Sequence, residues 1–180
     1  MDYSTLDAMK HSPIRNYIIP GLTSWLISTP TKEHGCVRLF ENARQPFHTI
    51  EPHSHRFDFS CQVLEGSVVN RVWRSAITSE NGIADEFMVT FLQYNGATGD
   101  YSKTLGDVSR WVSTETEYKA GEWYHMRSDD IHSIHFSKGA KVLFFEGPEN
   151  NDVTMVLQPW VDGETVKTFK VEDWMFKRDS

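Results

Sequence analysis

From residue 22 onward, apolar and polar positions alternate in short bursts that stop at Gly, Asn, Asp, Ser or Pro. The runs TSWLIST, CVRLFE, FDFSCQVLE, VVNRVWR, EFMVTFLQY, RWVSTETEY, EWYHMRS, IHSIHFS, KVLFFEG, VTMVLQP and TVKTFKV are rich in β-branched and aromatic residues and too short for typical helices. They predict about eleven strands. Sustained spacing of three and four residues is missing after residue 20, which excludes a doubly wound α/β fold and leaves a sandwich, barrel or jelly roll. Upstream, a short helix is expected around residues 4–10, and Pro13 and Pro20 then punctuate the chain. Residues 1–21 therefore read as an N-terminal arm and residues 22–180 as one all-β domain, with no repeat or composition shift to divide it. Between the central runs, YNGATGDYSKTLGDVSR has the composition of an exposed loop able to overhang a barrel mouth.

Composition narrows the partners. Eighteen Lys and Arg against 25 Asp and Glu give a formal charge of −7, the wrong sign for a chain that tracks phosphates, so nucleic-acid binding is not expected. No basic-then-apolar leader opens the chain and no apolar run reaches the roughly 18 residues of a membrane helix. A cytoplasmic protein without membrane contact is expected. Its two cysteines, Cys36 and Cys61, form no CxxC pair, and a reduced compartment is the simpler reading.

Six of the eight histidines fall in two short windows, His48, His53 and His55 in one and His125, His132 and His135 in the other. If residues 53–63 form one unbulged strand, His53 and His55 project to the same side as Phe57, Phe59, Cys61 and Val63. Two imidazoles about 6 to 7 Å apart along a strand can converge on one ion, and a third nitrogen from another strand completes a face of ligands. In the second window His132 shares parity with Ile134 and Phe136, which turns it inward and His135 outward. The alternative is a set of histidines that hydrogen-bond only to one another or to water.

These residues carry a resemblance to the cupins, small β-barrels of jelly-roll type with two signature motifs. The first motif is matched by His53-Ser54-His55, three residues, Phe59, six residues and Gly66, with Phe59 standing where the family has glutamate. The second is matched in spacing from Gly121 to His132, with Arg127 at its proline and Asp129 at its second glycine. The stretches HSHRFDFSCQVLEGSVV and KVLFFEGP also look like a subgroup of small bacterial and phage cupins of unsettled function. The resemblance implies a single-domain cupin jelly roll over about residues 22 to 160, with His53, His55 and His132 holding one divalent metal. Fe(II) is ranked first, and Zn, Ni and Mn stay open. Because a phenyl ring offers no oxygen, the set is three histidines, as in the cupins that resemble thiol dioxygenases; Cys61 invites the same comparison.

Remaining candidates have two readings each. Arg127, Arg71, Phe59 and Cys61 are read as substrate contacts, the arginines as partners for a carboxylate or phosphate; the plain alternative is surface or core packing. Asp58 lies on the opposite strand face from the histidines and suits a structural contact. His125 and Tyr124 are candidates for acid/base chemistry, and His48 for packing or support of the site. The expected function is a metal-binding cupin with a small-molecule site at the barrel mouth, read as a non-haem Fe(II) dioxygenase of a small anionic or thiol metabolite. A non-catalytic ligand-binding module and a metal-independent isomerase or epimerase are the alternatives, and exposed strand edges make a homodimer the default assembly.

Overall fold

A computed structural model describes residues 3–29, 31, 35–44, 50–76 and 84–160. The strand expected at 165–171 and His48 lie outside the described residues. One helix, α1 (Tyr3–Met9), precedes twelve strands: β1 (His11–Arg15), β2 (Leu22–Ser28), β3 (Val37–Asn42), β4 (Ile50–His53), β5 (Phe57–Glu65), β6 (Ser67–Ser75), β7 (Asp85–Asn95), β8 (Asp100–Lys119), β9 (Trp123–Met126), β10 (Ile131–Phe136), β11 (Lys141–Glu149) and β12 (Val153–Pro159). Ten of the expected runs coincide with observed strands, because each is a short stretch of strand-favouring residues bounded by turn residues.

Two antiparallel sheets result. One has the order β1-β2-β3-β11-β5-β9, and in the other β10, β4, β12, β7, β8 and β6 hydrogen-bond in a closed ring. This all-β, single-domain architecture is consistent with a cupin jelly roll. Its main core lies where the sheets face each other, with Leu22, Phe40, Phe59, Cys61, Val63 and Val142 from the first and Ile50, Val68, Ile134 and Phe136 from the second. Residues of opposite parity on the ring strands, including Trp73, Phe87, Val89, Ile131 and Leu157, form a second cluster. Among the described residues no helix is long and apolar enough to cross a membrane.

The arm is more built than its sequence suggests. β1 pairs antiparallel with β2, and Leu6 of α1 packs with Ile27, Leu39 and Leu143 on the outer face of the first sheet. Pro13 and the positive φ angles of Ser12 and Asn16 disturb the alternation that would have marked this strand.

The polar stretch 94–110 is corrected in the same way. Rather than a loop, it turns at residues 96–99 and then enters β8, a 20-residue strand paired along β7 and β6. Its Ser, Thr, Lys and Asp content reflects a strand exposed on much of both faces. Of this stretch, Tyr94 at the end of β7 and Thr98, Gly99, Asp100 and Tyr101 at the hairpin tip line the cavity.

Gly66, the motif glycine, joins β5 to β6 at a φ of +68°, and a Cβ there would lie 2.7 Å from Ser137 Oγ and 3.0 Å from Ala140 Cα. Both the left-handed backbone and the close approach require glycine. Gly66→Ala is expected to lower unfolding free energy by roughly 1–3 kcal/mol, read from urea denaturation midpoints at unchanged slope.

Candidate metal and ligand site

The HxH segment does not lie on one strand. His53 is the last residue of β4 in the ring, and residues 54–56 carry the chain across to β5 in the other sheet. This corrects the expectation of a continuous strand from 53 to 63. The crossing is pinned by paired bonds, Ser54 N–H donating to the Met155 carbonyl at 2.8 Å and Met155 N–H donating to Ser54 Oγ at 2.8 Å. His55 N–H donates to the Ser128 carbonyl at 3.2 Å, and Ser128 N–H donates to Asp58 Oδ1 at 2.7 Å. Asp58 thus ties the crossing to the turn before β10. The Ser128 amide, then the Asn150 side chain, hold its carboxyl below the usual range.

His132 on β10 is the cross-strand partner of His53, and its parity with Ile134 and Phe136 buries it as expected. One ring nitrogen from each of His53, His55 and His132 falls within a group in which all lie within 4.8 Å of one another. His55 Nε2 and His132 Nε2 are 3.0 Å apart. Two nitrogens at about 2.1 Å from one ion and at right angles to each other are themselves about 3.0 Å apart, so this pair fits adjacent ligand positions.

Hydrogen bonds at the other ring nitrogens select the tautomers. His53 Nδ1–H donates to the Glu51 carbonyl at 2.7 Å, and His132 Nδ1–H donates to Asn70 Oδ1 at 2.7 Å, which places the lone pair of each neutral ring on Nε2. Burial lowers the pKa of His53, against the opposing pull of the Glu51 carbonyl. His55 and His132 are held well below the usual range by burial first and then by neighbouring imidazoles. A neutral ring is the form of histidine that binds a metal.

Around the triad the wall is aromatic. The Phe59 ring meets His55 edge-on at 4.6 Å and lies 4.8 Å from Phe144, and Phe57 lies 5.5 Å from His55. These residues line a cavity of about 730 Å³, within the range of small-molecule sites. Cys61 and Tyr124 also line it, and burial is the largest cause that raises both, Cys61 to about 12.

Of the remaining expected site residues, the structure brings Phe59, Cys61 and Tyr124 to the triad's cavity and leaves the others outside its lining. His125 is on the exposed face of β9 and bonds Ser60 Oγ through Nδ1 at 2.7 Å, because Tyr124 and Met126 take the inward positions. Arg127 has a 77% exposed side chain and pairs with Asp129 at 3.2 Å. Arg71 pairs with Glu115 on neighbouring exposed strand positions. The sequence reading missed Asn70, Arg56, Tyr94, Arg38 and Glu146. Asn70 carried a signal, a polar residue at the same parity as Val68 and Val72 on β6.

No family model matches the chain, and no curated protein matches it. Solved structures do. KdgF from Halomonas sp. is 13% identical over 79% of this chain and 90% of that one, with a TM-score of 0.41. The HEPD of Streptomyces albus, with 2-hydroxyethylphosphonate and Fe(II) bound, is 12% identical over 73% of this chain and 22% of that one, at 0.42. An RmlC-like cupin from Shewanella frigidimarina is 12% identical over 71% and 77%, at 0.38. At such identities and scores these likenesses carry no argument about the site, whose chemistry rests on its own residues.

With a thiol pKa near 12, roughly one Cys61 in ten thousand is ionised at pH 8. Native protein is therefore expected to leave Cys61 unalkylated by iodoacetamide at that pH, with reaction only after denaturation, as read by intact-mass spectrometry. The raised pKa also adds stability that is full below about pH 8.5 and is lost as pH rises further.

Proposed function

We propose that His53, His55 and His132 hold one divalent metal and that the cavity beside them binds a small molecule, with Fe(II)-dependent dioxygenation as the reaction. The observation that carries this reading is the convergence of three neutral imidazoles on one point, with the tautomers of two of them set by hydrogen bonds at Nδ1. Bound Fe(II) would supply one-electron chemistry toward O₂ at ligand positions that the three nitrogens leave open. Phe57, Phe59 and Phe144 exclude water from that side of the cavity and offer an apolar wall to a substrate. Asn70 orients His132, and the Glu51 carbonyl orients His53. Of the two acid/base candidates only Tyr124 lines the cavity, and burial raises its pKa, so it holds its proton at neutral pH.

A second reading has an observation of its own. The 3.0 Å contact between His55 and His132 Nε2 atoms is also a hydrogen-bond distance, as expected of a module that captures a ligand without a metal.

Elemental mass spectrometry on untagged protein separates the two. Near-stoichiometric iron is expected in the wild type and none in His55→Ala, with O₂ uptake following the iron; metal-free protein even after anaerobic reconstitution with Fe(II) would leave the ligand-capture module. Asn70→Ala removes the acceptor of His132 Nδ1–H and is expected to weaken metal affinity about 10- to 100-fold by competition with a chromophoric chelator.

A further inference from the structure

We infer that Arg56 is an anchor for an oxyanion on the ligand, so that the cavity takes small molecules with an apolar body and one carboxylate or phosphate group. This rests on the reading of the cavity as a small-molecule site and deepens it by naming the ligand class.

Arg56 follows the second histidine of the HxH and lines the same cavity as the triad. Its side chain is 10% exposed, so its charge is largely removed from water, yet among the described residues it pairs with one carboxylate. Nη2 pairs with Glu149 Oε1 at 2.9 Å, and that glutamate is itself 45% exposed and partly hydrated. The guanidinium carbon sits 3.8 Å from the centroid of the Tyr94 ring and 5.9 Å from that of Tyr101, both at the mouth of the cavity. Stacking of this kind fixes the guanidinium plane while it supplies no hydrogen-bond acceptor. Nη1 is buried and has no hydrogen-bond partner among the described residues. A buried cationic N–H without an acceptor is costly, and an oxyanion ligand supplies the acceptor that the protein does not.

The arginines expected to do this from sequence are engaged elsewhere, Arg71 with Glu115 and Arg127 with Asp129. A purely structural Arg56 would only tie the β4–β5 crossing to Glu149. That role needs the ion pair and predicts no preference for charged over neutral ligands.

The test uses benzoate and phenyl phosphate, which pair an aromatic body with the two oxyanion types, and benzamide as the uncharged match of benzoate. Calorimetric titration of the full chain is expected to give saturable binding of at least one anion with Kd near or below ~1 mM, and at least ~10-fold weaker binding of benzamide. Whichever anion binds tighter identifies the group. Arg56→Gln should reduce anion affinity about 10- to 100-fold, to the benzamide level, with metal content unchanged, and Arg56→Lys should keep part of it. Glu149→Gln removes the competing carboxylate and should tighten the anion a few-fold, which keeps the inference testable if Arg56→Gln fails to fold; a structural pair predicts no gain.

Equal binding of benzoate and benzamide, no saturable anion binding to wild type, or undiminished binding by folded Arg56→Gln would each overturn it. Metal analysis of the same samples keeps the two readings apart. Metal-free protein with Arg56-dependent anion binding removes the iron reading alone, and metal-loaded protein whose anion binding ignores Arg56 removes this one alone.

Discussion

Three imidazoles confined within 4.8 Å inside an aromatic cavity favour neutral rings and cannot readily carry two positive charges. Two positive rings with centroids 5.0 Å apart, as His53 and His132 are, would repel by about 3 kcal/mol even at an effective dielectric near 20, before the cost of burying either charge. Neutral imidazole carries one N–H and one lone pair, so each N–H needs a nearby acceptor. The Glu51 carbonyl and Asn70 Oδ1 supply these for His53 and His132. Asn70 is itself held, its amide donating toward Met126 Sδ at 3.3 Å. The register of β6 against β10, which sets Asn70 beside Ile134 and Val72 beside His132, serves this single hydrogen bond as much as it serves the sheet.

The second constraint is the crossing at residues 54–56. A chain that passes between two sheets in three residues cannot complete its ladder bonds along the way, and those backbone groups need other partners. Met155, Ser128 and Asn150 provide them, Asn150 N–H donating to the Arg56 carbonyl at 2.9 Å. Gly147 belongs to the same knot, because a Cβ there would come within 2.7 Å of the Asp58 carbonyl. Asp58 and Gly147 thus meet in space, and through Ser128 the same contacts brace the backbone of His55. Arg56, next in the chain, is buried at the edge of the cavity by the same local geometry.

Parity along strands was the legible part of the molecule. It placed His132 inside and His135 further out, and the same rule applied to Tyr124 and Met126 would have placed His125 outside. Parity failed where alternation persisted without a shared strand: His53, His55, Phe57 and Phe59 alternate in sequence although the first two lie across a change of sheet from the others. It failed again in β8, whose two exposed faces leave no apolar beat to read. Arg56 was hidden for a different reason. Its significance depends on Tyr94, Tyr101 and Glu149, each at least 38 positions away in sequence, and no local pattern announces a cation-binding ring from another hairpin.

Phe59 changes the electrostatics of the site more than its shape. A glutamate at this position would lower the net charge of a bound M²⁺ centre to about +1, whereas three neutral nitrogens leave it near +2 in an apolar wall. The nearby carboxylates do not make up the difference. Asp58 is turned toward Ser128 and Asn150, and Glu146, which lines the cavity, accepts a bond from the Cys36 thiol at 3.2 Å. Were a metal bound there, an anionic entrant would be favoured by the centre at one end and by Arg56 at the mouth. A neutral ligand of the same shape gains neither interaction. A three-histidine centre beside Phe59 would therefore leave more of its charge balance to a ligand than one with a glutamate at that position.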